Sequence, residues 1–223
     1  MPKIEPFEKF SDAYDKWFDN HIDLYSAELE ALRQLIPPAG SKGMEVGVGS
    51  GKFAVPLGIK VGVEPSEKMA GKARLQGIDV HSGIAEALPF SDGLFDFVLM
   101  VTTICFVDDV AQSLKEAFRV LKTGGCIIVG FVDRDSELGK QYSEKKESSR
   151  FYKDATFFST PEVLTYLKAS GFLITNVLQT LIPGELPETI LEGSGKGAFV
   201  VIKGLKEKIR KQGSLRRRKK PRG

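Results

Sequence analysis

The sequence predicts an α/β domain built on a doubly wound, mostly parallel sheet of seven strands, with an antiparallel hairpin at one edge. Two patterns along the chain favour this fold class. Short apolar runs alternate with helical or glycine-rich stretches, which is typical of a parallel sheet with helices on both faces. The last two apolar runs are joined by a loop with Pro and Gly that leaves no room for a substantial helix, so we expect them to pair antiparallel.

Each predicted strand is short and apolar. The first five cover residues 43–47, 59–64, 78–82, 94–101 and 125–132. The two strands of the hairpin cover residues 172–181 and 198–203. Runs of this length, bounded by turn-forming residues, fit buried strands.

Three helices are predicted from apolar residues that recur at helical spacing. The first covers residues 23–36 and ends at a pair of prolines. The second covers residues 108–122, and we expect the glycine pair that follows, at 124–125, to stop it. The third covers residues 160–170, with Thr160 as its N-cap.

The chain is predicted to form one domain in residues 1–204. Residues 1–38 hold its leading helices, and residues 133–158 form an insertion that we expect to cover the substrate. Residues 205–223 read as a basic, disordered tail. Although the net charge is only +3, residues 203–223 hold eleven Lys or Arg and one Glu, a net +10, which leaves −7 for the rest. The tail either stays solvated or contacts nucleic acid or another anionic surface.

Composition excludes several classes of protein. The most apolar run, residues 97–107, is far shorter than the roughly 20 residues that cross a bilayer, and the start lacks the apolar core of a signal peptide. We therefore expect a cytoplasmic protein without membrane contact. Two cysteines and two histidines do not match a zinc site, so no metal is predicted. Cys105 and Cys126 are expected at opposite sheet edges, too far apart for a disulfide.

A glycine-rich segment at residues 45–51, Glu-Val-Gly-Val-Gly-Ser-Gly, lies at a predicted strand-to-helix junction. Glycines permit a tight turn there and leave no side chain between the backbone and a ligand. The segment indicates a small-molecule loop; the alternative is a turn without a ligand. It does not fit a dinucleotide fingerprint, because Lys52 stands where the third glycine of that motif belongs.

The Gly-x-Gly-x-Gly spacing after an acidic residue resembles the first motif of class I S-adenosylmethionine-dependent methyltransferases, which have a Rossmann-like sheet. The resemblance implies S-adenosylmethionine as the cofactor. Its methionine moiety would lie against Gly47, Gly49 and Gly51, and Glu45 would help to hold the amino-acid end, directly or through water.

The end of the second predicted strand offers a partner for a ribose. A carboxylate at Glu64 can accept hydrogen bonds from both ribose hydroxyls of an adenosine. Dinucleotide enzymes use the same arrangement, and the alternative is an acid that only leads the next helix. Pro65 and Met69 follow the family pattern, where Met69 either packs near the adenine or fills the core.

Further motifs narrow the resemblance. Leu-Pro-Phe at residues 88–90, Phe-Asp at 95–96 and the run at 116–125 are similar to the broad small-molecule methyltransferase family that includes the ubiquinone and menaquinone biosynthesis enzymes. The resemblance covers about residues 40–131 and implies a small-molecule methyl acceptor.

One departure from the family concerns the adenine. Family members often have Asp where this chain has Ile84, and that Asp accepts from the adenine amino group. The amide of Ala85 and the carboxylate of Glu86 are the candidates that remain to read the ring edge. A degenerate, weakly binding site is the alternative. Thr102, after the fourth strand, completes the predicted cofactor set.

Five residues are candidates to line the acceptor pocket: Tyr14, Trp17, Phe106, Asp133 and Tyr142. Aromatic faces near a sulfonium are favourable through cation–π attraction, although the leading aromatics could equally pack their helix onto the sheet. Asp133 and the two tyrosines are candidate acids or bases. The fourth strand lacks the Asn/Asp-Pro-Pro-aromatic motif of many amino-methyltransferases, which argues against DNA adenine methylation.

Three functions remain open at this point. The first is transfer of a methyl group to a small molecule by in-line displacement, in which the protein mainly aligns the reacting atoms. The second is methylation of an RNA or a protein held by the basic tail. The third is binding of S-adenosylmethionine without catalysis.

Overall fold

The computed structural model describes residues 3–207. It contains six α-helices: α1 Glu5–Asn20, α2 Ile22–Arg33, α3 Glu67–Leu75, α4 Val110–Val120, α5 Glu137–Glu144 and α6 Thr160–Ala169. Its eight strands are β1 Gly43–Val46, β2 Val61–Val63, β3 Asp79–His81, β4 Phe95–Val101, β5 Leu121–Val132, β6 Phe172–Thr180, β7 Leu191–Glu192 and β8 Phe199–Lys206. A 3₁₀ turn at Lys146–Ser148 follows α5.

All the strands belong to one sheet in the order β3-β2-β1-β4-β5-β8-β6-β7. The first five strands are parallel, and β8 inserts antiparallel between β5 and β6. The predicted fold class is therefore confirmed, with one addition. An eighth strand, the two-residue β7, forms within the loop that was expected only to join the hairpin.

Two apolar layers cover the two faces of the sheet. One lies under α4 and α6, and the other lies under the first three helices. Alternate residues of β4 supply both layers, since Val98 and Met100 face one side and Leu99 and Val101 face the other. This arrangement explains why the central strands are apolar throughout, because both of their faces are buried.

The junction between α4 and β5 differs from the prediction. The helix begins after Asp109, whose side chain accepts from the backbone N–H of Gln112 at 2.9 Å, and it ends at Val120. The strand starts at once, and its pairing with β4 shifts between Phe95 and Phe97. The predicted stop at the glycine pair 124–125 is wrong, because these glycines lie inside the irregular start of the strand rather than after the helix.

The segment after the glycine loop is also different. A helix was expected there, but residues 49–58 form a succession of turns. Helix-type hydrogen bonds run from Val55 to Gly51 and from Leu57 to Phe53. Pro56 has no N–H with which to continue this pattern, and Gly58, at φ +73°, turns the chain out of it.

The predicted N-cap of α6 is corrected by one residue. Ser159 precedes the helix, and its backbone N–H donates to the carboxylate of Glu162 at 2.7 Å in a capping box. Thr160 is instead the first helical residue, and its hydroxyl donates to Asp133. A serine and a threonine side by side give the same sequence signal, so only tertiary contacts decide between them.

Hydrogen bonds join the motif residues at 88–90 to those in α4. Arg119 donates to the carbonyl oxygens of Leu88 and Phe90, at 3.0 and 2.7 Å, and Glu116 accepts from the N–H of Leu88 at 2.9 Å. These hydrogen bonds fix the loop that follows β3 against α4. The side chains of Glu116 and Arg119 therefore have a structural role.

Among residues 3–207 no helix is both long and apolar enough to cross a membrane. Nor does this part of the chain bring together three His, Cys, Asp or Glu side chains that could hold a metal ion. Cys105 and Cys126 are both buried and free.

Candidate functional site

A cavity of about 160 Å³ opens at the carboxyl edge of the parallel strands, where Val46, Val63, Val101 and Val132 end four of them. Its roof comes from α1, α2, α5 and the segment after α5. This is where ligands bind in open α/β sheets, beside the point at which the strand order reverses.

The glycine loop forms the floor of the cavity at Gly47 and Gly49. Gly47 has φ +69°, and a Cβ there would lie 2.7 Å from the side chain of Thr103, so no other residue fits. Thr103 itself holds the loop, because its hydroxyl lies 3.0 Å from the carbonyl oxygens of Val46 and Val101. Gly51 does not line the cavity, since a Cβ there would meet Ile78.

Glu64 faces the cavity and ties the loop to the second strand. One carboxylate oxygen accepts from the backbone N–H of Gly49 and the other from that of Ser66, both at 2.9 Å. Burial raises the pKa of Glu64, while these two N–H groups lower it. Each oxygen keeps a further lone pair with which to accept a ligand hydroxyl.

Glu45 lies behind the loop, where it is almost completely buried and does not line the cavity. Its Oε2 atom has no hydrogen-bond partner among the described residues. Burial, together with the charge of Glu64, holds the pKa of Glu45 well above its usual range against the lowering effect of the Ala54 N–H. An orphaned buried carboxylate oxygen is costly unless a proton or a donor reaches it.

The other predicted cofactor residues lie around the cavity, with Met69, Pro65 and Ala85 in its wall. Thr102 also lines it, in the left-handed backbone conformation with φ +49°, a strained state that is frequent at functional sites. Glu86 reaches the wall, but its Oε1 accepts from the N–H groups of residues 108 and 109 at 2.7 and 3.1 Å. Its carboxylate therefore anchors the start of α4.

Four of the five predicted acceptor residues line the cavity: Tyr14, Trp17, Phe106 and Tyr142. Asp133 does not. Its carboxylate is buried and accepts from the N–H groups of Asp135 and Thr160 and from the Thr160 hydroxyl, so it fixes the start of α6.

The sequence did not single out three aromatic residues that complete the wall. Phe7 of α1 packs edge-on against Phe106, with 5.0 Å between ring centroids, and it lies 5.9 Å from Phe151. Tyr152 stacks with Tyr142 at 5.2 Å. Phe7 is far from Phe106 and Phe151 in the chain, so no local spacing reveals its contacts with them.

The sequence also missed Glu28, in the middle of α2. Its side chain lines the cavity and is 6% exposed. No hydrogen bond or ion pair joins it to another described residue. Burial raises the pKa of Glu28 to about 8. A signal for it existed: residue 28 lies three positions after Tyr25 and four before Leu32, which places an acid on the buried face of an amphipathic helix.

Comparisons with known proteins identify the family of this chain. Residues 44–129 match the family model described as a methyltransferase domain. A crystal structure of an S-adenosylmethionine-dependent methyltransferase from Thermotoga maritima, a possible histamine N-methyltransferase, is 51% identical with a TM-score of 0.86, and the match covers 91% of this chain and 98% of that one. The chain belongs to the S-adenosylmethionine-dependent methyltransferases. It is an enzyme of this class, and S-adenosyl-L-methionine is its cofactor.

Two further relatives extend the comparison. An uncharacterized protein of Methanocaldococcus jannaschii is 46% identical over 200 residues, which cover 88% of this chain and 96% of that protein. The demethylmenaquinone methyltransferase of Chlorobaculum parvum is 34% identical over 153 residues, 61% of this chain and 63% of that enzyme. The predicted resemblance to this class is confirmed.

Proposed function

We propose that this methyltransferase acts on a small molecule that enters the cavity beneath its leading helices. The observation that carries the proposal is the roof. Phe7, Tyr14 and Trp17 of α1 and Tyr142 and Tyr152 of the segment after β5 stand over the carboxyl ends of the strands. A polymer would have to pass this roof to reach the centre of the cavity, whereas a small acceptor fits within it.

The residues at the glycine loop fit the cofactor. In our proposal the methionine moiety lies against Gly47 and Gly49, and the orphaned Oε2 of Glu45 receives a donor from its amino-acid end. Glu64 accepts from the ribose hydroxyls with the lone pairs that Gly49 and Ser66 leave free. The adenine lies near Met69 and Ala85, two apolar side chains of the wall.

When bound, the cofactor supplies a methyl group on a sulfonium, which is its own leaving group. The chain therefore mainly has to hold the acceptor in line and keep water out. Aromatic rings serve both needs, since their faces favour a nearby cation and their bulk excludes water. Tyr14 is no base in this scheme, because burial first, and then Glu45 and Glu64, raise its pKa and keep the phenol protonated.

The names of two relatives support a small acceptor. The Thermotoga maritima protein is a possible histamine N-methyltransferase, and the Chlorobaculum parvum enzyme methylates demethylmenaquinone by name. Both names denote acceptors of metabolite size, although the two acceptors differ in chemistry.

Product analysis tests the proposal. Purified full-length protein is incubated with S-adenosylmethionine and pools of metabolites, and S-adenosylhomocysteine is measured with and without each pool. We expect an acceptor-dependent rate with at least one pool and a methylated product of matching mass. Total RNA and total protein serve as parallel acceptors, and turnover restricted to either of them contradicts the proposal.

A further inference from the structure

We propose that the methyl acceptor is an amine, and that Glu28 binds it as an ammonium ion and takes up the proton it must lose before methylation. This inference rests on the proposed function, since it names the class of small molecule that the cavity takes. Two observations carry it: an unpartnered buried carboxylate and a set of aromatic rings that line the same cavity.

The first observation is the isolation of Glu28. The side chain is 94% buried yet lines the cavity, and none of the hydrogen bonds or ion pairs of residues 3–207 involves it. Other buried acids of this region have structural partners: Glu64 holds Gly49 and Ser66, and Asp133 holds Thr160. A lone carboxylate in such surroundings needs a proton or a cation.

The second observation is the aromatic surroundings. Phe7, Tyr14, Phe106, Tyr142 and Tyr152 line the same cavity. They contact one another in a chain, from Tyr14 through Phe7 and Phe106 to Tyr152 and Tyr142, with 5.0–6.0 Å between successive ring centroids. Aromatic faces around a carboxylate attract an organic ammonium through both cation–π and Coulomb forces. A neutral alcohol or a carboxylic acid gains neither.

The charge of Glu28 acts on phenols that line the cavity. The charge of Glu28 contributes, after burial, to the raised pKa of Tyr142. It also adds, behind burial and closer neighbours, to the raised pKa of Tyr152. It acts on Tyr14 as well, behind burial, Glu45 and Glu64. The charge of Glu28 therefore affects phenols of both α1 and α5, which line the same cavity.

The chemistry balances with these groups alone. The ammonium N–H bond breaks, and its proton passes to the carboxylate of Glu28, which becomes a neutral acid. The nitrogen lone pair then forms a bond to the methyl carbon while the carbon–sulfur bond breaks and its electron pair returns to sulfur. The products are a methylated ammonium ion and S-adenosylhomocysteine, and Glu28 releases its proton to water when they leave. Burial, which raises the pKa of Glu28 to about 8, suits it to this exchange.

Other ionisable groups share the cavity and bear on its pH dependence. On α2 itself, Tyr25 is half-buried, and burial raises its pKa. From the elements packed opposite come these cavity-lining groups: Lys3, Tyr14, Glu64, Glu86, Tyr142 and Tyr152. The tyrosines have raised pKa values and stay neutral near pH 8. Burial also raises the pKa values of Glu45 and Glu64, so the comparison of wild type with Glu28→Gln is what assigns a change of rate near pH 8 to Glu28.

The experiment compares Glu28→Gln with wild type. Primary and secondary amines are tested as acceptors against phenols, thiols and carboxylic acids of similar size. We expect amines to be methylated by wild type and kcat/KM to fall by about 10²- to 10⁴-fold in Glu28→Gln. We also expect kcat/KM of wild type to rise with pH and to level off above about pH 8, where the carboxylate of Glu28 is ionised. Glu28→Gln should lack this dependence.

Three controls make the outcomes distinct. Glu30→Gln removes an exposed acid of the same helix, which pairs only with Arg33, and should leave turnover unchanged. Glu28→Asp keeps the carboxylate and should retain part of the activity that Glu28→Gln loses. S-adenosylhomocysteine affinity, measured by calorimetry, should stay within about twofold of wild type in all three variants.

Several results would overturn the inference. Methylation of phenols or thiols but not of amines would leave the proposed function intact and exclude an amine as the methyl acceptor. A tenfold or larger loss of S-adenosylhomocysteine affinity in Glu28→Gln places this residue in the cofactor site instead. Turnover of amines that Glu28→Gln leaves unchanged removes Glu28 as the group that binds them. Failure with every small molecule overturns the proposed function together with this inference.

Discussion

Glu64 has two tasks at the residue scale. Its carboxylate accepts from two backbone N–H groups, which fixes the glycine loop against β2, and it faces the cavity where we place the ribose. A carboxylate is suited to both, because it has acceptor sites and no donor. An amide at this position would turn an NH₂ group toward one of the two N–H donors.

The substitution Glu64→Gln should therefore lower both cofactor affinity and stability. Loss of a charged acceptor at the ribose, about 1.5–3 kcal/mol, should weaken S-adenosylhomocysteine binding about 10- to 150-fold. One buried N–H group left without an acceptor should cost a further ~1–3 kcal/mol of unfolding free energy. Isothermal titration and thermal melts measure the two effects separately.

Glu67→Gln is the matched control, because Glu67 is exposed and pairs only with Arg74 on the outer side of α3. It should change neither quantity appreciably. A Glu64→Gln protein that melts early but binds S-adenosylhomocysteine as wild type does would leave the ribose without the partner we propose.

Asp133 provides a second test at this scale, since the sequence suggested it as an acid or base and the structure buries it beneath α6. Asp133→Asn should remove at least one hydrogen bond to Thr160 or Asp135 and destabilise the protein by ~1–3 kcal/mol. The melting temperature should drop by a few degrees for each kcal/mol. The kcat measured well below the melting temperature should stay near that of wild type. A hundredfold loss of kcat would show that Asp133 takes part in catalysis.

The residue-scale predictions succeeded where the signal was local. The glycines, Glu64 and Met69 follow one another within a strand, a turn and the start of a helix, so their spacing alone places them at one edge of the sheet. Glu28 and Phe7 reach that edge only through the packing of α1 and α2 onto the sheet. Their positions depend on tertiary contacts that sequence spacing does not encode.

At the scale of elements, polar contacts attach α1 to the body in addition to the packing of its aromatic residues. Ser50 donates to Asp15 at 2.5 Å, and Ser66 donates to Glu8 at 2.7 Å. Lys72 of α3 contacts both Asp12 and Asp15, at 2.6 and 2.7 Å. Since α1 forms part of the cavity roof, these contacts hold the roof closed.

Replacing Lys72 with Met should loosen this roof. Partly exposed ion pairs contribute about 0–1 kcal/mol, so we expect S-adenosylhomocysteine to bind up to about fivefold more weakly. Wild-type affinity should also fall with added salt, whereas Lys72→Met should have lost part of that dependence. Titrations at low and high salt measure both.

Arg74→Met serves as the control for Lys72→Met, because Arg74 pairs with Glu67 within α3 and donates to the carbonyl oxygen of Val80, and none of the ion pairs among residues 3–207 joins it to α1. Equal weakening by the two variants would show a general effect of charge rather than a role for the roof.

The bounds of the helices and strands differ from the prediction where two local sequence signals indicate different structures. The strands were predicted to within a few residues because apolar runs are long enough to exclude other structure. The turns after the glycine loop were not, since the pattern of hydrogen bonds there is helical until Pro56 interrupts it. The glycine pair at 124–125 looked like a helix stop, but the pairing of Phe95 with Leu121 draws the chain into the sheet four residues earlier.

On the scale of the whole molecule, charge is unevenly placed along the chain. Residues 208–223 hold nine Lys or Arg and no acid, so residues 1–207 carry a net charge of −6. The tail predicted at 205–223 lies outside the described residues from 208 onward. Its first residues belong to the sheet, because Lys206 in β8 pairs with Phe172 and donates to the carbonyl oxygens of Phe118 and Leu121.

The last prediction uses this boundary to separate a small acceptor from a polymer. A cut at residue 204 would remove the end of β8 and three hydrogen bonds of Lys206, so stability would fall for structural reasons alone. A chain ending at Glu207 keeps these contacts and loses nine positive charges. Its melting temperature and its turnover of a small acceptor should match those of the full chain within experimental error.

Nucleic-acid binding should respond in the opposite way. If the tail contacts phosphates, the full chain should bind RNA with an affinity that falls steeply as salt rises, and the shortened chain should lose that binding because its net charge is negative. Filter binding at several salt concentrations gives the slope. If turnover collapses together with RNA binding, the polymer is the substrate; if turnover survives, the charge of the tail acts outside catalysis and the cavity alone selects the acceptor.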